Sequence, residues 1–140
     1  MLVEFLEDED KCVRMRAADA IEKISRDCAA LFRSHKASLL GSLAKATQQE
    51  VRWHLAVIVP RLQLTPFECR RAANILETYL EDRSSIVKTY AMQGLADLTQ
   101  QHSSLRPRVM NLLRCLAETG TPAMRARGRK LLAKLPGRNC

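Results

Sequence analysis

Side chains that could perform catalysis are few in this sequence of 140 residues and lie far apart. The three histidines, His35, His54 and His102, are separated by 19 residues or more, and the dipeptide His-Glu does not occur. Catalytic metal ions are held by several histidine or carboxylate ligands, often at short helical spacings. The sequence therefore predicts no metal site and no metal-dependent activity.

The five cysteines are similarly dispersed, and no two of them form a Cys-x-x-Cys pair. Because disulfide and zinc frameworks need paired spacings, we expect reduced thiols. The sequence also lacks the glycine-rich loops that hold nucleotide phosphates and the Gly-x-Ser-x-Gly turn of a serine hydrolase. We therefore expect a protein that is not an enzyme and that binds no cofactor. The cysteines are Cys12, Cys28, Cys69, Cys115 and Cys140.

The formal charge of +8 is distributed unevenly along the chain. The first ten residues contain five acidic side chains and no basic one, whereas the sequence from residue 101 onward contains one acidic residue, Glu118, and nine basic ones. A basic surface of this kind can meet nucleic acid, an anionic surface or an acidic protein. The nine are Arg106, Arg108, Arg114, Arg125, Arg127, Arg129, Lys130, Lys134 and Arg138.

No part of the sequence predicts insertion into a membrane. There is no apolar run of about 20 residues, the length needed to span a bilayer. The acidic beginning is unlike the cationic start of a secretory signal peptide. Hydrophobic residues make up 46% of the chain and charged residues 27%, as in a folded globular domain. We therefore expect a cytoplasmic protein.

One helical segment occurs four times. The first copy, VRMRAADAIEKI, begins at Val13, and similar segments begin at Val51, Val87 and Met124, at spacings of 38, 36 and 37 residues. Within each segment, apolar residues recur at the three- and four-residue intervals of a helix. A fixed period near 37 residues indicates a solenoid, in which each unit buries its apolar face against the next.

A further helix is predicted before each of these segments. Thr65, Pro66 and Glu68 form the pattern of an N-cap, a proline at the first helical position and a capping-box glutamate. Pro60, inside the second repeated segment, predicts a kink near residues 56–60. The sequence thus predicts one all-α domain over residues 1–140, in which an A helix and a B helix alternate in four hairpins. The hairpins span about residues 1–27, 28–63, 65–101 and 104–136, and the first has a short A helix.

The repeated pattern resembles the HEAT-repeat branch of the armadillo-like helical repeats. In that family, a loop aspartate precedes a Val-Arg pair that opens the B helix. The pair corresponds here to Val13-Arg14, Val51-Arg52, Val87-Lys88 and Met124-Arg125. Asp8 and Asp82 match the loop aspartate, whereas Ala46 and Thr119 replace it. The resemblance implies a right-handed α-α superhelix of about four hairpins, with B helices on the concave side. It also implies an Asp–Arg ladder that is broken at two of four rungs.

A binding surface is expected on that concave side. Two variable positions follow each basic residue that opens a B helix, and stacking would place them in two rows across one surface. The second row mixes arginines with rings, which suits a polyanion or an acidic peptide. The candidate binding residues are Arg16, Arg52, Trp53, His54, Arg61, Lys88, Tyr90, Arg125 and Arg127.

A structural role is the alternative for several of these residues. Trp53, the only tryptophan, could fill a gap between two B helices. Arg52, Lys88 and Arg125 could hold loop carboxylates, as the resemblance implies. The sequence alone leaves both readings open.

The sequence favours a scaffold module that binds a protein partner, because the repeat pattern is complete and no active-site motif accompanies it. Binding of nucleic acid through its phosphates is the alternative. The resemblance also raises the activity of HEAT-like alkylpurine DNA glycosylases, which use tryptophans and an aspartate one turn away. That activity is less favoured, because Val57 stands one turn after Trp53 and no second tryptophan exists. Apolar residues of the short first unit leave open self-association or further repeats before it.

Overall fold

The computed structural model describes residues 2–135, which form seven α-helices and no β-strand. This confirms the all-α prediction. Short 3-10 helices occupy Leu2–Glu7, Ala29–His35, Val59–Arg61 and Ser103–Leu105. The α-helices are α1 (Lys11–Cys28), α2 (Lys36–Lys45), α3 (Gln49–Ile58), α4 (Pro66–Tyr79), α5 (Ser85–Gln101), α6 (Arg106–Thr119) and α7 (Pro122–Lys134).

Capping side chains mark where four of the helices begin. Asp10 accepts a hydrogen bond from the N–H of Cys12 at the start of α1, and Ser84 accepts one from Val87 at the start of α5. At α4, Thr65 and Glu68 form the predicted capping box, in which each side chain accepts from the other residue's N–H. Thr121 caps α7 in the same way but without the glutamate. These caps satisfy N–H groups that the first turn of a helix leaves without partners.

The helices pair as antiparallel neighbours and then stack. The even-numbered helices are the A helices: α2 packs on α3, α4 on α5 and α6 on α7. The segment Leu2–Glu7 takes the place of the first A helix and packs on α1. The B helices α1, α3, α5 and α7 pack in sequence against one another, and these contacts are more extensive than those between successive A helices. The B helices therefore form a continuous layer.

One hydrophobic core runs through all four hairpins, from Val3 to Leu135. Equivalent positions of the repeated segment, at Ala17, Leu55, Ala91 and Gly128, are all buried. Burying a leucine side chain contributes about 1.5–3 kcal/mol. Because each hairpin presents its apolar positions to the next, most of this burial depends on stacking.

Polar contacts also join neighbouring hairpins. The hydroxyl of Tyr79 on α4 donates to the carbonyl of Leu43, near the end of α2. The side-chain amide of Gln101 on α5 donates to the carbonyls of Pro60 and Leu62, at 2.9 and 2.7 Å. Carbonyls in the last turn of a helix have no partner inside it, so these side chains supply the missing hydrogen bonds.

Pro60 ends a helix and does not kink a longer one. The α-helical part of α3 stops at Ile58, and the chain continues as the 3-10 helix Val59–Arg61. Pro60 lacks the N–H that would bond to the carbonyl of Ala56, so an α-helix cannot continue through it. Gly94 of α5 packs against this carbonyl: a Cβ atom there would lie 2.6 Å from the Ala56 oxygen.

We expect Gly94→Ala to destabilise the protein. The methyl group would overlap a backbone oxygen, which cannot move away as a flexible side chain could. Overpacking of this kind lowers the free energy of unfolding by about 1–3 kcal/mol. Urea denaturation followed by circular dichroism measures the change.

Gly41→Ala is the matched control. Gly41 lies inside α2, and a Cβ atom there would meet no other atom within 4 Å. Alanine is favoured over glycine inside a helix by about 0.5–1 kcal/mol, so this variant should be more stable than the parent. Equal effects of the two substitutions would contradict the close approach of α5 to α3.

Candidate functional site

Three of the predicted residues form a stack across three successive B helices. The indole of Trp53 on α3 lies 4.9 Å from the ring of Tyr90 on α5, measured between centroids, with 27° between the planes. The guanidinium of Arg127 on α7 lies 5.3 Å from the centre of the Tyr90 ring. We call the side of the B helices that carries this stack the B-face. Ring stacking and cation–π contacts of this kind stabilise by about 0.5–1.5 kcal/mol each.

His54 belongs to the stack but is not a surface residue, which corrects its prediction as a binding residue. Its side chain is buried and stacks on Trp53 with 3.7 Å between ring centroids. Its Nδ1 bonds to the carbonyl of Glu50, one turn earlier, and its Nε2 lies 3.5 Å from a carboxylate oxygen of Asp19 on α1. His54 therefore positions the indole and links α3 to α1.

Asp19 was not predicted from the sequence. Its carboxylate lies 2.7 Å from the ammonium group of Lys23, which holds the pKa of Asp19 below its usual value, with a further contribution from His54. Asp19 thus brings a carboxylate from a neighbouring helix to the ring that stacks on Trp53. The sequence does indicate the position of Asp19. It lies three residues after Arg16, so both residues lie on one face of α1.

Arg16 and Arg127 end the B-face on opposite sides. Arg16 is exposed and has no hydrogen bond or ion pair with any of residues 2–135. Arg127 is half-buried and donates to the side-chain oxygen of Gln93 at 3.3 Å. Its other contact is the ring of Tyr90, so among the described residues it meets only uncharged groups.

Arg52 has a structural position. It forms a 2.6 Å ion pair with Asp82 of the next hairpin, donates to the carbonyl of Ala46 and lies over the ring of Tyr79. Its donors therefore bind other groups of the protein, and its role in binding a ligand stays a prediction. The ion pair joins Arg52, near the start of α3, to Asp82, in the loop before α5.

The first junction has a rung that the sequence did not predict. Arg14 donates to the side-chain oxygen of Gln48 at 2.9 Å, and Gln48 also donates to the carbonyl of Lys11. Gln48 lies two residues after Ala46, the position where the aspartate is missing. At the third junction, Lys88 has no side-chain hydrogen bond or ion pair with residues 2–135.

Arg61 and Arg125 also bind other groups of the protein. Arg61, at the end of the second hairpin, forms a 2.9 Å ion pair with Glu22 of α1 and donates to Ser25. Its partner Glu22 is buried and also binds Arg26, and these two guanidiniums hold the pKa of Glu22 below its usual value. Arg125 donates to the carbonyl of Gly120 in its own hairpin. Arg61 thus bridges the second hairpin and α1, and its role in binding a ligand stays a prediction.

Asp97 is the least favourably placed carboxylate of the B helices. It accepts a 3.0 Å hydrogen bond from Gln93 and feels the charges of Arg61 and Lys134. Burial nevertheless raises the pKa of Asp97 above its usual value, because desolvation disfavours the charged form more than these groups favour it.

Two cavities lie away from the stack. One opens between the first two hairpins beside Arg14, Lys45 and Gln48, and the other lies beside Arg33, Lys36 and Arg61. Within residues 2–135, no group of three or more histidine, cysteine or acidic side chains could hold a metal ion.

No known protein-family model matches the sequence, and no curated protein matches it at significant similarity. None of the helices within residues 2–135 is long and apolar enough to cross a membrane.

We expect Asp97→Asn to stabilise the protein at neutral pH. The folded-state pKa of Asp97 lies above the unfolded value near 3.8, so ionisation weakens the folded state as pH rises through the folded-state pKa. Asparagine keeps the acceptor for Gln93 and removes the buried charge. Thermal unfolding at several pH values should show a higher midpoint for the variant near pH 7 and no gain below pH 3.8.

Glu118→Gln is the control, because Glu118 is an exposed carboxylate on α6. It should change the midpoint little at any pH. A lower midpoint for Asp97→Asn at neutral pH would show that Arg61 and Lys134 outweigh the desolvation of Asp97.

Proposed function

We propose that this chain is a HEAT-repeat module that binds a segment of a protein partner across its B-face and performs no catalysis. The observation that carries the proposal is the stack of Trp53, Tyr90 and Arg127, which crosses three helices with its side chains already fixed against one another. Preorganised aromatic and arginine side chains lose little conformational entropy on binding, and such residues dominate protein interfaces.

The packing of the helices supports an inner position for this surface. Because the B helices contact one another more extensively than the A helices do, the hairpins are expected to converge on the B side. We propose a right-handed superhelix whose concave wall is the B-face. A concave wall lets several hairpins contact one extended ligand at once.

Nucleic-acid binding is a second candidate, favoured by the basic character of α7, which has five basic residues and no acidic one. Such binding should weaken steeply as salt rises, because phosphate contacts release counterions. A gel shift with mixed-sequence DNA and RNA at physiological salt tests it, and we expect no complex. For the glycosylase alternative, we expect no release of methylated base from alkylated DNA, because Trp53 is held between His54 and Tyr90.

Photo-cross-linking tests the proposed function. A photoreactive amino acid in place of Arg16 or Gln93 lies on the B-face, whereas the same residue in place of Arg70 or Arg71 lies on the exposed surface of α4. We expect the first pair to give discrete adducts in native lysate that resist nuclease and are digested by protease. The second pair should give none of these adducts.

Two results would contradict the proposal. Adducts that disappear on nuclease treatment would replace a protein partner by nucleic acid. Identical adducts from the α4 positions would move the binding surface away from the B-face.

A further inference from the structure

We propose that the bound segment is acidic and extended, with an apolar side chain between two carboxylates. The apolar side chain packs against the exposed parts of Trp53 and Tyr90 that their stacking contacts leave uncovered, and the carboxylates pair with Arg16 on one side and Arg127 on the other. This inference rests on the proposed function, since it specifies the chemistry of a partner for the same surface.

The acidic and the basic side chains of the B-face differ in whether they have partners of opposite charge. Three carboxylates of the B helices have cationic neighbours: Asp19 has Lys23, Glu22 has Arg26 and Arg61, and Asp97 lies in the field of Arg61 and Lys134. Arg16 and Arg127, by contrast, meet no carboxylate among residues 2–135. The surface therefore offers two uncompensated guanidiniums, which pair most strongly with carboxylates in a bidentate geometry.

The aromatic pair supplies the apolar contact between these cations. Trp53 and Tyr90 pack on the core from one side and remain partly exposed. Because His54 and Arg127 fix the two rings, an apolar side chain can bury surface against them without ordering them first. Apolar contact in the middle and charge pairing at the edges is the usual arrangement of a protein interface.

The distances across the B-face give the approximate number of residues between the apolar side chain of the ligand and its carboxylates. The centroid distances of 4.9 and 5.3 Å place Arg127 no more than about 10 Å from Trp53 across the stack. An extended chain advances about 3.3 Å per residue, so one carboxylate falls roughly two to four residues from the apolar side chain. Neighbouring helices lie about 8–10 Å apart, which gives a similar interval toward Arg16 on α1.

The same features disfavour a nucleic-acid strand. Asp19 and Asp97 lie beside the stack, and a continuous row of phosphates would pass their carboxylates. The indole of Trp53 already has two ring partners, so a nucleobase would have to displace one of them to stack on it. A peptide can place its carboxylates only where the cations are.

Selection from a library of random peptides of about nine residues, displayed on phage, tests this inference with the full chain as bait. We expect enriched peptides to carry an aspartate or glutamate on each side of an apolar residue. Each of Arg16→Glu and Arg127→Glu should weaken binding of the enriched peptides by about tenfold, because attraction becomes repulsion at one end. Raising the salt concentration should also weaken it.

Arg70→Glu is the matched control, because it makes the same charge change on the exposed surface of α4. It should leave peptide affinity within about twofold of the parent, and circular dichroism should show that all three variants are folded. Loss of affinity in the control equal to that in the B-face variants would attribute binding to net charge alone and overturn the inference.

The possible results distinguish failure of this inference from failure of the proposed function. Enriched peptides that are neutral or basic, and that cross-link at Arg16 or Gln93 positions, would overturn the acidic ligand and leave a protein-binding B-face. Failure to enrich any peptide that cross-links there, while a mixed-sequence single strand of DNA does, would overturn both.

Discussion

A hairpin of two short helices cannot bury its own apolar face, and this constraint governs the whole structure. The buried core accordingly runs through all four hairpins, from Val3 to Leu135. Stacking then fixes everything else: it brings Asp19 to His54, and Trp53 to Tyr90. The candidate site consists of contacts between hairpins, so it exists only while the stack does.

The fold could be predicted from the sequence because the patterns that indicate it are local and repeated. The period of the apolar residues predicted the helices, and the Thr-Pro pairs at residues 65–66 and 121–122 predicted where two of them begin. Pro60 was recognised as a disruption of the helix, but the sequence did not show that the α-helix ends at Ile58, before the proline. The handedness and curvature of the stack remain predictions.

The candidate site could be predicted only in part, because its chemistry depends on contacts between residues that are distant in the chain. Trp53, Tyr90 and Arg127 were found from repeat position alone. The burial of His54 could not be, since the repeat pattern marks its position as variable and only the packing of α1 on α3 covers it. Gln48 replaces the ladder aspartate from two residues away, an exchange that a strict alignment of repeats misses. Similarly, the basic composition overstated the free positive charge, because Arg52 and Arg61 are neutralised between hairpins.

The contact of Gly94 with the backbone of α3 has a mechanical consequence. Backbone against backbone is the closest approach that two helices can make, and it leaves no side chain that could change rotamer and let them slide. The spacing of α3 and α5 is therefore set by their backbones at this point. Trp53 and Tyr90 project from these same two helices, so the distance between their rings depends on a glycine in the core.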